Sequence, residues 1–121
     1  IDLNNCLDEY EKNSNIDVVI TVTEASHSPY FNMVKRNSKG MIDLVISPTK
    51  MLTRRQDAPN VYNMATVAYV LKPEFVMTNQ SIFDGRVSAV SVPQERAIDI
   101  DTLIDFKMAE FYLSQRGNKS L

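Results

Sequence analysis

The chain is 121 residues long, 44% hydrophobic and 23% charged, which fits one globular domain or part of a larger one. Its net charge of −2 gives no global positive field to hold a nucleic-acid backbone, and no apolar run approaches the ~20 residues of a membrane span. One cysteine, Cys6, cannot close an internal disulfide, as suits a reducing cytoplasm; one histidine, His27, excludes a multi-histidine zinc site, and Gly40, Gly85 and Gly117 lie too far apart for a glycine-rich phosphate loop.

Ile1 to about Lys12 sets Leu3, Leu7 and Tyr10 on one face with Cys6 beside them, and acidic residues opposite, which predicts an amphipathic helix ended by Asn13-Ser14-Asn15. Val18 to Thr23 is β-branched and apolar on both faces, as in a strand covered on both sides. Helix followed by buried strand is the second half of a βαβ unit, so a preceding strand is expected outside this sequence, and Val18–Thr23 is expected to lack a parallel neighbour. After Ser28-Pro29, two extended runs, 30–36 and 41–46, flank the polar loop Asn37-Ser38-Lys39-Gly40 and predict a β-hairpin. Val61 to Leu71 reads as a strand, Pro73 to Met77 as one helical turn with proline at its first position, and Val87 to Val92 as another strand. Leu103 to Leu113 carries Ile104, Met108, Phe111 and Tyr112 at helical spacing behind a Thr102/Asp105 start signal, and the polar tail 115–121 is expected to fray. The class is α/β or α+β with a protruding hairpin.

Two stretches could carry chemistry. In Ala97-Ile98-Asp99-Ile100-Asp101-Thr102, an extended backbone would turn Asp99 and Asp101 to one side and Ile98 and Ile100 to the core. Two converging carboxylates repel unless a cation or proton lies between them, and Mg²⁺ takes such hard oxygen ligands together with substrate phosphates. The plainer alternative is that Asp101 or Thr102 only caps the helix while Asp99 is solvated. In Thr53-Arg54-Arg55-Gln56-Asp57-Ala58-Pro59, an arginine fork could orient a carboxylate or phosphate; the alternative is a solvated loop with a local Arg–Asp pair. His27 beside Ser26 and Ser28 has no orienting third group or oxyanion hole, which argues against a hydrolase.

In order along the chain, Arg-Arg-Gln-Asp-Ala-Pro at 54–59, Tyr69, Glu95-Arg96-Ala97-Ile98-Asp99-Ile100-Asp101-Thr102 and Asp105-Phe106-Lys107-Met108-Ala109-Glu110-Phe111 resemble the C-terminal half of the acylneuraminate cytidylyltransferases. These are the CMP-sialic acid synthetases and their relatives for other bacterial nonulosonic acids. The resemblance implies an α/β fold, the C-terminal part of a Rossmann-like nucleotidyltransferase sheet with a protruding β-hairpin dimerisation arm at about 30–64. It implies a cytoplasmic homodimeric enzyme that transfers CMP from CTP to the anomeric hydroxyl of a nine-carbon 2-keto sugar acid and releases pyrophosphate. Asp99 and Asp101 match the paired aspartates that hold Mg²⁺, and which of them, if either, takes the sugar proton stays open. Arg55 matches the arginine on the sugar carboxylate, with Gln56 beside it, and the arm that bears it serves the neighbouring subunit. Tyr69 and Phe83 match aromatics of the sugar pocket.

Pro29-Tyr30-Phe31-Asn32 departs from the sialic acid synthetases, which often place a lysine here, and is similar to enzymes for legionaminic acid or related deoxy sugars. Phe31 in place of a cation suits a sugar with fewer hydroxyls and an added acylamino group. Ile82 stands beside Phe83 where some relatives have paired phenylalanines. The family's N-terminal nucleotide-binding half has no counterpart in these residues, so residues 1–121 are expected to be inactive alone. The competing expectation is a non-catalytic dimerisation or sugar-binding fragment of that family.

Overall fold

The computed structural model describes residues 1–47 and 57–118. It divides into two compact units, one formed by residues 1–23 with 64–121 and the other by 24–63.

The first unit is built on a three-stranded sheet. Helix α1 (Asp2–Lys12) leads into strand β1 (Val18–Glu24), and the sheet is completed by β4 (Tyr62–Leu71) and β5 (Val87–Ser91) in the order β4-β1-β5. The expectation that Val18–Thr23 lacks a parallel neighbour is therefore corrected. β1 is the central strand, parallel to β5 in a register from Val18↔Val87 to Val22↔Ser91. The chain's own later strand fills the place that helix-then-strand order alone left open. Along β4 residue numbers fall as they rise along β1: Lys72 N donates to Asp17 O at 3.1 Å, and the Thr21 hydroxyl donates to Ala65 O at 2.8 Å. The sheet is thus mixed.

Alternation along β1 splits the core into two layers. Val19 packs with Cys6 and Ile16 under Tyr10, Ala68, Val70 and Val90. Val18, Ile20 and Val22 face the other way and meet Leu71, Phe75, Ile82 and Val87. The β-branched run is buried on both faces, as its composition required. On α1, however, Cys6 and not the leucines makes the innermost contact; Leu3 and Leu7 lie at the edge of the buried face and remain exposed.

Between β4 and β5 the chain makes α2 (Pro73–Thr78) and a single 3-10 turn at Ile82–Asp84, held by a reciprocal Ser81/Asp84 cap. Both ends of this excursion are tied to Asp17. Its carboxylate accepts from Arg86 N at 2.9 Å and lies 3.4 Å from Lys72 Nζ and 3.6 Å from Arg86 Nε. These bonds hold the Asp17 carboxyl below its usual range, the Arg86 amide most of all. Gly85 sits in this knot, where an added Cβ would run into the Phe75 ring and lie 3.0 Å from Asp17.

After β5 a 3-10 turn (Gln94–Arg96) and a segment without regular structure lead to α3 (Leu103–Asn118). The helix runs further than its apolar spacing indicated, through residues expected to fray: Gln115 and Arg116 favour helix, no proline interrupts it, and it ends just after Gly117. Leu103, Ile104, Phe106, Met108, Phe111 and Leu113 on α3 are all exposed.

In the second unit β2 (Val34–Arg36) and β3 (Ile42–Leu44) pair antiparallel, Lys35 opposite Asp43. The ladder is shorter than the extended runs suggested: Phe31, Asn32 and Met33 donate their amides to Ser28 O and form a turn. The connection closes on Gly40, whose φ of 80° a side chain would resist, and the Asn37 carboxamide oxygen accepts from the Lys39 and Met41 amides.

Candidate functional site

The two candidate aspartates follow the carboxyl end of β5. Val92 N donates to Val22 O at 2.8 Å, one step beyond the β1–β5 register, and the chain then turns through Gln94–Arg96 into 97–102. In parallel α/β sheets this is the end where ligands gather. Asp99 and Asp101 are exposed. The segment is not a strand, and Ile100 is 54% exposed while Ile98 is half-buried, so the expected inward pair of isoleucines is corrected. Ile98 lines a cleft with Ala109, Tyr112 and Leu113 of α3, whereas Ile100 is left in solvent.

Both flanks of this segment are anchored. Upstream, the Arg96 guanidinium grips Asp2 in the first turn of α1 through two bonds, Nε to Oδ2 at 3.0 Å and Nη2 to Oδ1 at 2.9 Å, across 94 residues of sequence. The fork keeps the Asp2 carboxyl below its usual range and raises Arg96. Downstream, the Thr102/Asp105 signal is present as a two-way cap. Asp105 N donates to Thr102 Oγ1 at 3.2 Å, and Asp105 Oδ2 accepts from Thr102 N and Oγ1, each at 2.8 Å. The same oxygen accepts from Asp101 N at 3.2 Å. The Thr102 donors, with that amide, lower the Asp105 carboxyl. The helix cap thus belongs to Thr102 and Asp105, and the carboxylate of Asp101 is not spent on it.

Two solvated carboxylates on a held segment are a donor set that Mg²⁺ accepts, since that ion keeps several waters and takes one or two protein oxygens. Among the described residues no group of three or more His, Cys, Asp or Glu side chains gathers into a fuller cage.

The other candidates are distributed. Tyr69 lies on β4, two residues from Leu71 and so on that residue's sheet face, and is 39% exposed. Phe83 belongs to the turn that enters β5, and is exposed. It therefore stands at the amino end of that strand, whereas Asp99 and Asp101 follow its carboxyl end; the chain does not bring Phe83 to the aspartates. Phe31 is half-buried in the turn after Ser28, within the 24–63 unit. Arg54, Arg55 and Gln56 lie outside the described residues. That unit also carries an open cleft of about 220 Å³ lined in part by Glu24, Ser28, Pro59 and Tyr62. In the first unit a wider cleft of about 530 Å³ is lined by Ile1, Arg96, Phe111, Tyr112 and Arg116.

The sequence alone assigns no role to Arg96, Asp2 or Asp17. No local pattern could have found them, because each acts on a partner distant in the chain. No helix among the described residues is long and apolar enough to cross a membrane.

No family model matches the chain. Among curated proteins it is 34% identical over 100 residues to the CMP-N,N'-diacetyllegionaminic acid synthase of Campylobacter jejuni, covering 82% of this chain and 41% of that protein. It is 29% identical over 101 residues to the post-translational flagellin modification protein B of Campylobacter coli, covering 84% of this chain and 42% of that one. The chain spans about two-fifths of the length of these relatives. The likeness to cytidylyltransferases for nonulosonic acids read from the motifs is thus carried by a curated relative over most of the sequence.

Proposed function

We propose that this chain is the sugar-acid and metal-binding part of a cytidylyltransferase that joins CMP to a nonulosonic acid of the legionaminic type. The carrying observation is the Asp99–Asp101 pair, solvated and held from both sides beyond the carboxyl end of β5, in a chain similar to a CMP-diacetyllegionaminic acid synthase. In the reaction the anomeric hydroxyl oxygen of the sugar acid bonds to the α-phosphorus of CTP. The bond from that phosphorus to the bridging oxygen of the β-phosphate breaks, pyrophosphate departs with the electron pair, and the hydroxyl proton is released.

Asp99 and Asp101 would hold Mg²⁺, which supplies neutralisation of phosphate charge during transfer. The residues of this chain bind and orient. Arg55, with Gln56 beside it, pairs with the sugar carboxylate as a planar fork, a task that a lysine point charge does poorly. Tyr69 and Phe83 are aromatic walls for the sugar. Since Phe83 and the aspartates occupy opposite ends of β5, a single site using both would draw on two copies, in keeping with a homodimer formed through residues 30–64. Phe31 selects an acylamino-bearing deoxy sugar over one that presents more hydroxyls.

The test is pyrophosphate release with CTP, Mg²⁺ and either legionaminic or N-acetylneuraminic acid. It is run on the full-length protein and on residues 1–121. Turnover by the full-length protein, faster with the legionaminic sugar and lost in Asp99→Asn and Asp101→Asn, is expected, with no turnover by residues 1–121. Full activity in both aspartate variants would refute the assignment. A full-length protein that binds the sugar but never forms a CMP adduct would favour the non-catalytic reading.

A further inference from the structure

Asp99 and Asp101 lie on a stretch with no hydrogen-bonded strand or helix of its own, yet a pair of metal-binding carboxylates must keep a fixed separation. What limits the freedom of such a stretch is how its ends are fastened. Three residues before Asp99, Arg96 spends two guanidinium N–H groups on Asp2, whose side chain is only 12% exposed. Asp2 is in the first turn of α1, the helix that covers β5, and α1 is itself seated by the fully buried Cys6. Glu9, further along the same helix, accepts from the Ser88 hydroxyl on β5 at 2.7 Å and locks the helix to that strand. Downstream, the Asp105 carboxylate takes the amide of Asp101 itself into the α3 cap.

We infer that Arg96, acting through Asp2, is a positioning residue for the Asp99–Asp101 carboxylates, fixing the upstream end of their segment to α1 as Asp105 fixes the downstream end. This rests on the metal-binding role proposed above. The bidentate form matters: two parallel bonds fix the plane and direction of the guanidinium, whereas one contact would let the backbone at Arg96 pivot. Outer groups bonded directly to a ligand lower metal affinity about 10–100-fold when removed; this fork acts through the backbone three residues away, so its loss is set at the low end of that range, about tenfold.

The experiment titrates Mn²⁺ into the full-length protein in the presence of CTP and reads bound metal by electron paramagnetic resonance, with thermal unfolding measured on the same samples. Arg96→Gln and Asp2→Asn are each expected to weaken Mn²⁺ binding about tenfold, with the double variant no weaker than either single one, since both remove the same link. Arg96→Lys should recover only part of the loss. Asp17→Asn is the control: it cuts a comparable knot at the opposite end of β5 and should change stability without changing Mn²⁺ affinity. Unchanged metal affinity in Arg96→Gln, beside a wild type whose binding is abolished by Asp99→Asn, would overturn this inference and leave the functional reading intact. An equal loss in Asp17→Asn would also overturn it, as a global effect. A wild type whose Mn²⁺ binding is indifferent to Asp99→Asn would remove both.

Discussion

Thr21 offers a direct measure of how the sheet is held. It lies in the middle of β1 with no exposed surface, on a strand otherwise made of valine and isoleucine except at its end. Its hydroxyl donates to Ala65 O at 2.8 Å, with Ala68 O at 3.2 Å, and accepts from Ala68 N at 3.4 Å, so one side chain stitches β1 to β4. Thr21→Val keeps the shape and removes only the oxygen. Ala65 is itself buried, so its carbonyl cannot recover the bond from water. A buried group left short of a partner costs about 1–3 kcal/mol, which for a domain of this size lowers the unfolding midpoint by about 4–12 °C. Thr21→Ser keeps the hydroxyl and loses a methyl group, worth about 1 kcal/mol. Thermal unfolding followed by circular dichroism should therefore place both variants below wild type, with Val at or below Ser. A valine variant as stable as wild type would show that the hydroxyl contributes nothing and would refute the argument.

Gly85→Ala should destabilise by about 1–3 kcal/mol in urea unfolding, because the new methyl displaces Phe75 and crowds Asp17; the cause is contact and not backbone, and Phe75→Leu in the same chain should relieve part of it. The Asp2, Asp17 and Asp105 carboxyls are all lowered in the fold from the ordinary 3.8, so the unfolded chain takes up protons first as the solution is acidified. Their stabilisation is complete above about pH 5 and is lost as pH falls through the folded values, so the unfolding midpoint should be flat near neutrality and drop below about pH 4. Burial pushes the Cys6 thiol up and keeps it from solvent, so an aromatic disulfide reagent at pH 8 should label it only as fast as the protein opens. Prompt labelling would mean that α1 is not seated on the sheet. On the proposed function, Asp99→Asn in the full-length protein should abolish most CMP transfer while leaving the unfolding midpoint within about 2 °C, since the side chain is exposed.

What the sequence disclosed follows from the range of the forces involved. β1 was legible because a β-branched run apolar on both faces has few other fates, and α3 began where Thr102 and Asp105 said it would because capping is local. Gly40 closing the β2–β3 turn is likewise a four-residue matter. Leu3 and Leu7 misled because spacing identifies an apolar face but not which part of it meets the sheet; Cys6, smaller and central, takes that place. The parallel partner of β1 was missed since it arrives from β5, nearly seventy residues later in the chain, and no local pattern announces it. In the candidate site, Asp99 and Asp101 stood out by spacing and by resemblance, whereas the Asp2–Arg96 fork that fastens their segment joins residues 94 positions apart and left no trace in either neighbourhood alone.

The order β4-β1-β5 has one more consequence, for how this polypeptide could have been assembled and taken apart. β1 and β4 are neighbours, yet everything from 24 to 63 lies between them as a unit with its own contacts. In sequence, that unit is a long insertion between two neighbouring antiparallel strands, and long insertions cost little in chain closure. Insertions within 24–63 would therefore cost the layers around β1 little, because the contacts of that unit are largely its own. A change of length within 24–63 thus leaves the order β4-β1-β5 as it is, whereas a change of length between β4 and β5 would disturb the ties that Asp17 makes to Lys72 and Arg86.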